Sequence, residues 1–269
     1  MKKICQVGLQ ILNNKMVKQK LEEIALKGHG KIIAPPPTRI EMQIPHKKDT
    51  LTFVYPLIKP RRYDDIEDFE KSVYSKGFLI PTTAQAISLL DVAMKNPKEK
   101  HCKEILYALD VGGMLTSTQY VCVTDFEWKE CGRYEQRIIY YDNPDGKIRP
   151  IKKRLIEYVK KRDKRFKCVQ DYSNNCSFSN DIGLKINNPH ITAQVGKGMT
   201  SKLKRVANCR GDDPSVNCWI PWAYSFGNFK ASTYLSGSEG ISFYGTDPYG
   251  GSYTGASENH LFVVGLIKK

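Results

Sequence analysis

Between Ala231 and Ile267 the chain carries no lysine or arginine, although the full 269 residues have a formal net charge of +14. This stretch closes on a compact apolar run, Leu261-Phe262-Val263-Val264, preceded by Gly, Ser, Thr, Tyr and Asp. A short apolar run bounded by turn residues predicts a strand buried in a core. That strand would anchor everything before it. Apolar residues make up 41% of the chain, which is enough for a core and argues against global disorder.

The basic charge lies elsewhere. Residues 1–145 hold 22 basic and 19 acidic side chains, residues 146–210 hold 17 and 4, and residues 211–269 hold 3 and 5. One quarter of the chain therefore carries almost the whole excess. Its densest part is "KIRPIKKRLIEYVKKRDKRFK", 147–167. Ile151, Leu155, Ile156 and Val159 fall at helical spacing there. Lys152, Lys153, Arg154, Lys160, Lys161 and Arg162 cover the other faces of that helix. Clustered cations of this kind either bind a polyanion, nucleic acid included, or form a solvated outer face.

The length sets one large domain or two ordinary ones. No apolar run approaches the roughly 18 residues of a spanning helix. The first twenty residues are interrupted by Gln6, Gln10, Asn13 and Asn14, so they read as an amphipathic helix and not a signal peptide. A cytoplasmic address is the expectation, with the compartment otherwise open.

"NKMVKQKLEEIALKG" continues the helical reading to a stop at Gly28. "GKII" and "DTLTFVYPLI" read as strands separated by the rigid Pro35-Pro36-Pro37 turn. Three helices follow. "YDDIEDFEKSVYSKG" ends at Gly77, "PTTAQAISLLDVAMKN" is capped by Thr82 or Thr83, and "NPKEKHCKEILYAL" has Asn96 as its cap. From residue 112 the texture becomes strand-like. "MLTSTQYVCVTDFEW", "GRYEQRIIYYDNPDGKI" and "RFKCVQ" read as strands, "NPHITAQVGKGMTSKLKRVAN" as one or two short helices, and the rest as strands and turns. The predicted class is α+β, with a helix-containing region over 1–110 and a mixed α/β domain over 111–269. A single interlocked domain is the other arrangement this pattern allows.

Chemical motifs are few. There is no dinucleotide or Walker glycine pattern, no nucleophile elbow and no His-Glu-x-x-His. The five histidines are isolated, and the eight cysteines lack the close pairs of a zinc site, so neither a metal nor a cofactor is expected. Cys209 and Cys218 are the near pair late in the chain. "CRGDDP", 209–214, reads as a turn.

The tail is distinctive in composition. From Trp219 to Tyr253 there are ten aromatic residues among abundant Ser, Gly and Thr. Tyrosine gives stiff amphipathic contact area and Ser, Gly and Asn give adaptable hydrogen bonds, as in antibody paratopes. A glycine-rich β-core with ordinary turns would share this composition.

The stretch from Trp219 to the end resembles the variable region of diversity-generating retroelement target proteins. The matching frame is Trp219, Trp222, Ser225-Phe226 and the closing Leu261-Phe262-Val263-Val264-Gly265. The segments "GFLIPTTAQAISLLDVAMKNPKEK", "YYDNPDGKI" and "NNPHITAQVGKG" also resemble an archaeal family with such tails. The resemblance implies a C-type lectin fold of the formylglycine-generating-enzyme type, with a variable ligand-binding tail over about 219–269. It implies a non-enzymatic binding surface formed by Tyr224, Asn228, Ser236, Ser238, Tyr244, Thr246, Asp247, Tyr249, Ser252 and Tyr253. The partner would be a protein or cell-surface ligand. Nucleic-acid binding through 147–167 is the alternative. A third reading is an oxidase on the same scaffold, which would need Cys209 and Cys218 as its reactive pair.

Overall fold

A computed structural model describes residues 23–26, 30–33, 39–60, 66–124, 136–148, 157–158, 161–171, 182–184, 189–209, 216–218, 230–237, 241–245 and 261–267. Among these, thirteen strands join in one mixed sheet and five α-helices pack on it, so the α+β class holds. No helix among the described residues is long and apolar enough to cross a membrane.

Strands β1 (Glu23–Leu26), β2 (Gly30–Ile33), β3 (Ile40–His46) and β4 (Asp49–Ile58) form an antiparallel run. Glu23–Leu26 is therefore strand, not the helix expected from its periodicity. Pairing with β2 supplies the backbone partners that a helix would have made internally. Helix α1 (Ile66–Ser75) ends where Gly77 takes φ +80°, a conformation that glycine reaches without strain. After β5 (Phe78–Leu79) comes α2 (Thr83–Lys95). Its start is a capping box: the Gln85 amide donates to Thr82 Oγ1, and the Thr82 amide donates to Gln85 Oε1 at 2.8 Å. Asn96 does not cap the next helix. It closes α2 instead, donating Nδ2 to the Val92 carbonyl at 2.7 Å, and α3 (Lys100–Val111) begins after Glu99. An amide side chain serves an orphan carbonyl as readily as an orphan N–H.

The second half supplies β6 (Gly113–Thr124), β7 (Gln136–Asp142), β8 (Phe166–Asp171), β9 (Ile182–Leu184), β10 (Val216–Cys218), β11 (Lys230–Ser236), β12 (Ile241–Gly245) and β13 (Leu261–Ile267). Two short helices, α4 (Pro189–Val195) and α5 (Thr200–Asn208), fall where one or two were expected. The main strand order is β1-β2-β3-β4-β13-β6-β11-β12-β10-β9, with β7 and β8 added along β6.

Strands from before and after residue 110 share the one sheet. Strand β13 lies between β4, from the first half, and β6, from the second, antiparallel to one and parallel to the other. Its side chains alternate between two cores. Phe262, Val264 and Leu266 join the cluster formed with α2, α3, α4 and α5, while Leu261 and Val263 join Phe69 and Val73 of α1. A strand buried on both faces reads as a continuous apolar run, which is what residues 261–264 are.

His46, at the end of β3, bonds through Nδ1 to Ser88 Oγ of α2 at 2.9 Å. Burial, and then the nearby Lys47 and Lys202 charges, push its pKa down to about 4. The unfolded chain takes this proton near pH 6.5, so stability falls as pH drops from about 6.5 to 4. The variant His46→Gln should lose less stability over that window than the parent in urea unfolding; parallel pH profiles would contradict this. Truncating Phe262→Ala should cost about 3–5 kcal/mol. Residues 111–269 expressed alone should lack cooperative unfolding, because β13 then has no β4 beside it.

Candidate functional site

Ladder register sets the heights of the strand ends. Strands β6, β8, β10 and β12 run in one direction; β6 and β8 stop level with each other at Thr124 and Asp171, whereas β12 stops at Gly245 beside Thr233 and β10 at Cys218 beside Phe243. Strand β7 starts from the Thr124 end at Gln136 and β11 near it at Lys230, opposite Val121, while β9 starts at Ile182, level with Cys218. The two residues that bracket 219–229 therefore lie at different heights: Lys230 is level with Val121, whereas Cys218 is level, through Phe243 and Leu235, with Met114, and Gly245 lies between them beside Thr233. Strand β13 begins with Leu261 level with Gly113, far from Thr124 and close to the level of Cys218.

The flanks of these segments are firmly held. Ile241, Ser242, Phe243, Leu235 and Thr233 are all buried. Gly245 closes β12 beneath Tyr120; a Cβ there would overlap the Tyr120 hydroxyl. Glycine is thus required at this strand end for close packing.

Under the same region lies a buried chain of polar side chains. The Ile148 amide donates to Asn143 Oδ1 at 2.9 Å, and Asn143 Nδ2 donates to Gln119 Oε1 at 3.1 Å. Gln119 Nε2 then donates to Ser232 Oγ at 3.3 Å, and Ser232 Oγ donates to Glu70 Oε1 at 2.8 Å. Asn143, Gln119, Ser232 and Glu70 are each buried. Every donor points toward the carboxylate, so the bonds polarise one another in one direction. Tyr141 and Ser232 stand opposite Gln119 on its two neighbouring strands. Burial, reinforced by the Glu70 charge, pushes the Tyr74 and Tyr141 phenols up, so both stay protonated.

The other face of β6 is tied to the start of α2. The Thr83 amide donates to Thr118 Oγ1 at 2.9 Å, which donates to Asp142 Oδ1 at 2.7 Å. Thr116 Oγ1 donates to the Thr233 carbonyl at 2.9 Å. This polar layer escaped the sequence reading. Its only signal was Thr116-Ser117-Thr118-Gln119 inside an otherwise strand-like stretch.

The expected ligand-binding residues divide. Tyr224, Asn228, Ser238, Thr246, Asp247, Tyr249, Ser252 and Tyr253 lie outside the described residues. Tyr244 sits on β12 in register with Tyr234. Ser236 is 4% exposed and pairs in the ladder with Ser242, within the sheet.

The basic segment divides too. Lys152, Lys153, Arg154 and Lys160 are outside the described residues. Glu157 and Tyr158 are helical, and Lys161 and Arg162 are exposed in the turn that follows, with Arg162 at φ +55°. Tyr158 stacks on Phe166 with ring centroids 4.8 Å apart, and Arg165 lies over both rings while gripping Asp163 at 2.8 Å. The turn is thus braced internally.

No group of three metal-binding side chains occurs among the described residues. His190 is buried against the Tyr140 hydroxyl at 3.1 Å, and His101 packs beside Tyr55. Cys209 is a free, exposed thiol.

Ser232→Ala should destabilise the protein by about 1–3 kcal/mol, because it leaves Gln119 and Glu70 buried with a lost partner. Ser201→Ala, on an exposed site of α5, should change stability by less than about 0.5 kcal/mol in the same denaturant titration.

Comparison with protein-family models, with curated proteins and with solved structures gives no match.

Proposed function

We propose that this is a ligand-binding protein whose Tyr/Ser/Gly-rich tail is the recognition surface. The observation that carries the reading is that the segments 219–229 and 246–260 are each bounded at both ends by strands of the one sheet, at Cys218 and Lys230 and at Gly245 and Leu261. Binding residues belong on connections held by a rigid scaffold, and here the flanking strands are buried on both sides of each connection. The directed chain ending at Glu70 stiffens the same region from below.

On this reading the tail is a diversified cassette and the scaffold is of C-type lectin type. The protein is then the target of a diversity-generating retroelement. Apolar frame positions would stay fixed because they fill the core, while Tyr, Ser, Asp and Thr positions vary because they do not. Tyrosine and tryptophan would supply the contact energy. The reading assigns recognition and no reaction, with a protein or cell-surface ligand as partner.

Sequencing around the gene tests the reading. A neighbouring reverse-transcriptase gene and a near-repeat of the tail, differing only at adenines, are expected; absence of both would sink it. In the protein itself, Tyr224, Tyr249 and Tyr253 replaced together by alanine should shift stability by less than about 0.5 kcal/mol each, as substitutions outside a core do. A loss of several kcal/mol in a denaturant titration would instead make these tyrosines core residues.

A further inference from the structure

Helices α2 and α5 meet along a charged stripe that the proposed recognition surface does not use. Ser88, Asp91 and Lys95 lie about one turn apart on α2, and Lys202 and Arg205 lie one turn apart on α5. Arg205 grips Asp91 through Nε to Oδ1 at 2.9 Å and Nη2 to Oδ2 at 3.1 Å. Lys95 Nζ donates to Oδ2 at 3.0 Å. Lys202 Nζ donates to the Pro45 carbonyl at 3.0 Å and to Ser88 Oγ at 3.2 Å, both neutral acceptors. The Asp91 side chain is only 5% exposed, whereas those of Lys95 and Arg205 are 37% and 49% exposed. A sunken carboxylate thus fixes a rim of cations that faces solvent.

The charges do not balance. Asp91 offers one negative charge to three cations, and the adjoining β3–β4 turn adds exposed Lys47 and Lys48 against Asp49. Five cations face two carboxylates, a formal excess of +3. His46, bonded to Ser88, is neutral near pH 7 and adds nothing. The cations also feel one another: burial lowers the Lys202 pKa, Asp91 raises it, and Arg205 and Lys95 lower it again. Burial works to raise the Asp91 pKa, yet the hydrogen bonds from Arg205 and Lys95 hold it below the usual carboxylate range. Spare donors remain on all three rim cations, since an ammonium carries three N–H groups and a guanidinium five.

Cations already immobilised, with spare donors and excess charge, lower the ordering cost of holding a multiply charged oxyanion. We propose that Lys95, Lys202 and Arg205 form a binding site for a phosphate group. Its source is a free phosphate or the backbone of a nucleic-acid strand, and the two arms of the test separate them.

The full chain is titrated with inorganic phosphate against chloride at matched ionic strength, reading the thermal unfolding midpoint, and with a labelled single-stranded oligonucleotide, reading fluorescence anisotropy. Phosphate should raise the midpoint, or the strand should bind with an affinity that weakens steeply with salt. A response to inorganic phosphate assigns the free ion; a response to the strand alone assigns nucleic acid. Lys95→Gln keeps the Arg205–Asp91 pair and should weaken the responding ligand about tenfold. Lys204→Gln removes an exposed charge on α5 outside the cluster and should change affinity less than about twofold. No response in either arm, or equal losses in the two variants, overturns the site in favour of an internal clip or diffuse charge.

Discussion

The position of β13 governs the rest of the molecule. It pairs with β4 on one side and β6 on the other, and its side chains alternate into the two cores. Removing it would separate the first antiparallel run from the second half of the sheet and uncover both α1 and α2. The last of the described strands thus lies inside the sheet, between β4 and β6, and chain order and spatial order diverge. Hydrophobic burial on both faces at once holds that arrangement in place.

Around this strand the polar side chains are arranged with equal care. On one face the chain from Asn143 to Glu70 links the β7 turn, β6, β11 and α1. On the other, Thr83 and Thr118 join the start of α2 to β6 and Asp142. Buried polar groups of this kind add little net stability while satisfied, but they penalise any alternative register. They fix the heights of β6, β7 and β11 relative to one another. Thr124, Gln136 and, near them, Lys230 are thereby held at one end of these strands.

Legibility in the sequence followed the range of the interaction. The start of α2 was readable because Thr82 and Gln85 are three residues apart, and the end of α1 because Gly77 alone meets the demand for positive φ. Glu23–Leu26 was not readable, since helix periodicity in a short segment yields to pairing with a distant strand. Asn96 misled because one amide serves either end of a helix. Ser236 looked like a surface residue from its composition, yet its ladder partner Ser242 and its burial make it part of the sheet. The Asp91 cluster brings together residues more than a hundred positions apart. No local pattern could announce it.

By itself the sequence determined the alternation of strands and helices, the segregation of basic charge, and a closing apolar run that had to be buried. These rest on side-chain chemistry and on periods of two and 3.6 residues, which act locally. Only the tertiary structure decided that the closing strand sits between β4 and β6, and at which heights along the sheet the segments of the tail are attached. Each of those depends on which distant backbone groups pair. Pairing is settled by the best joint burial of two sheet faces, a property of the whole chain and of no single segment.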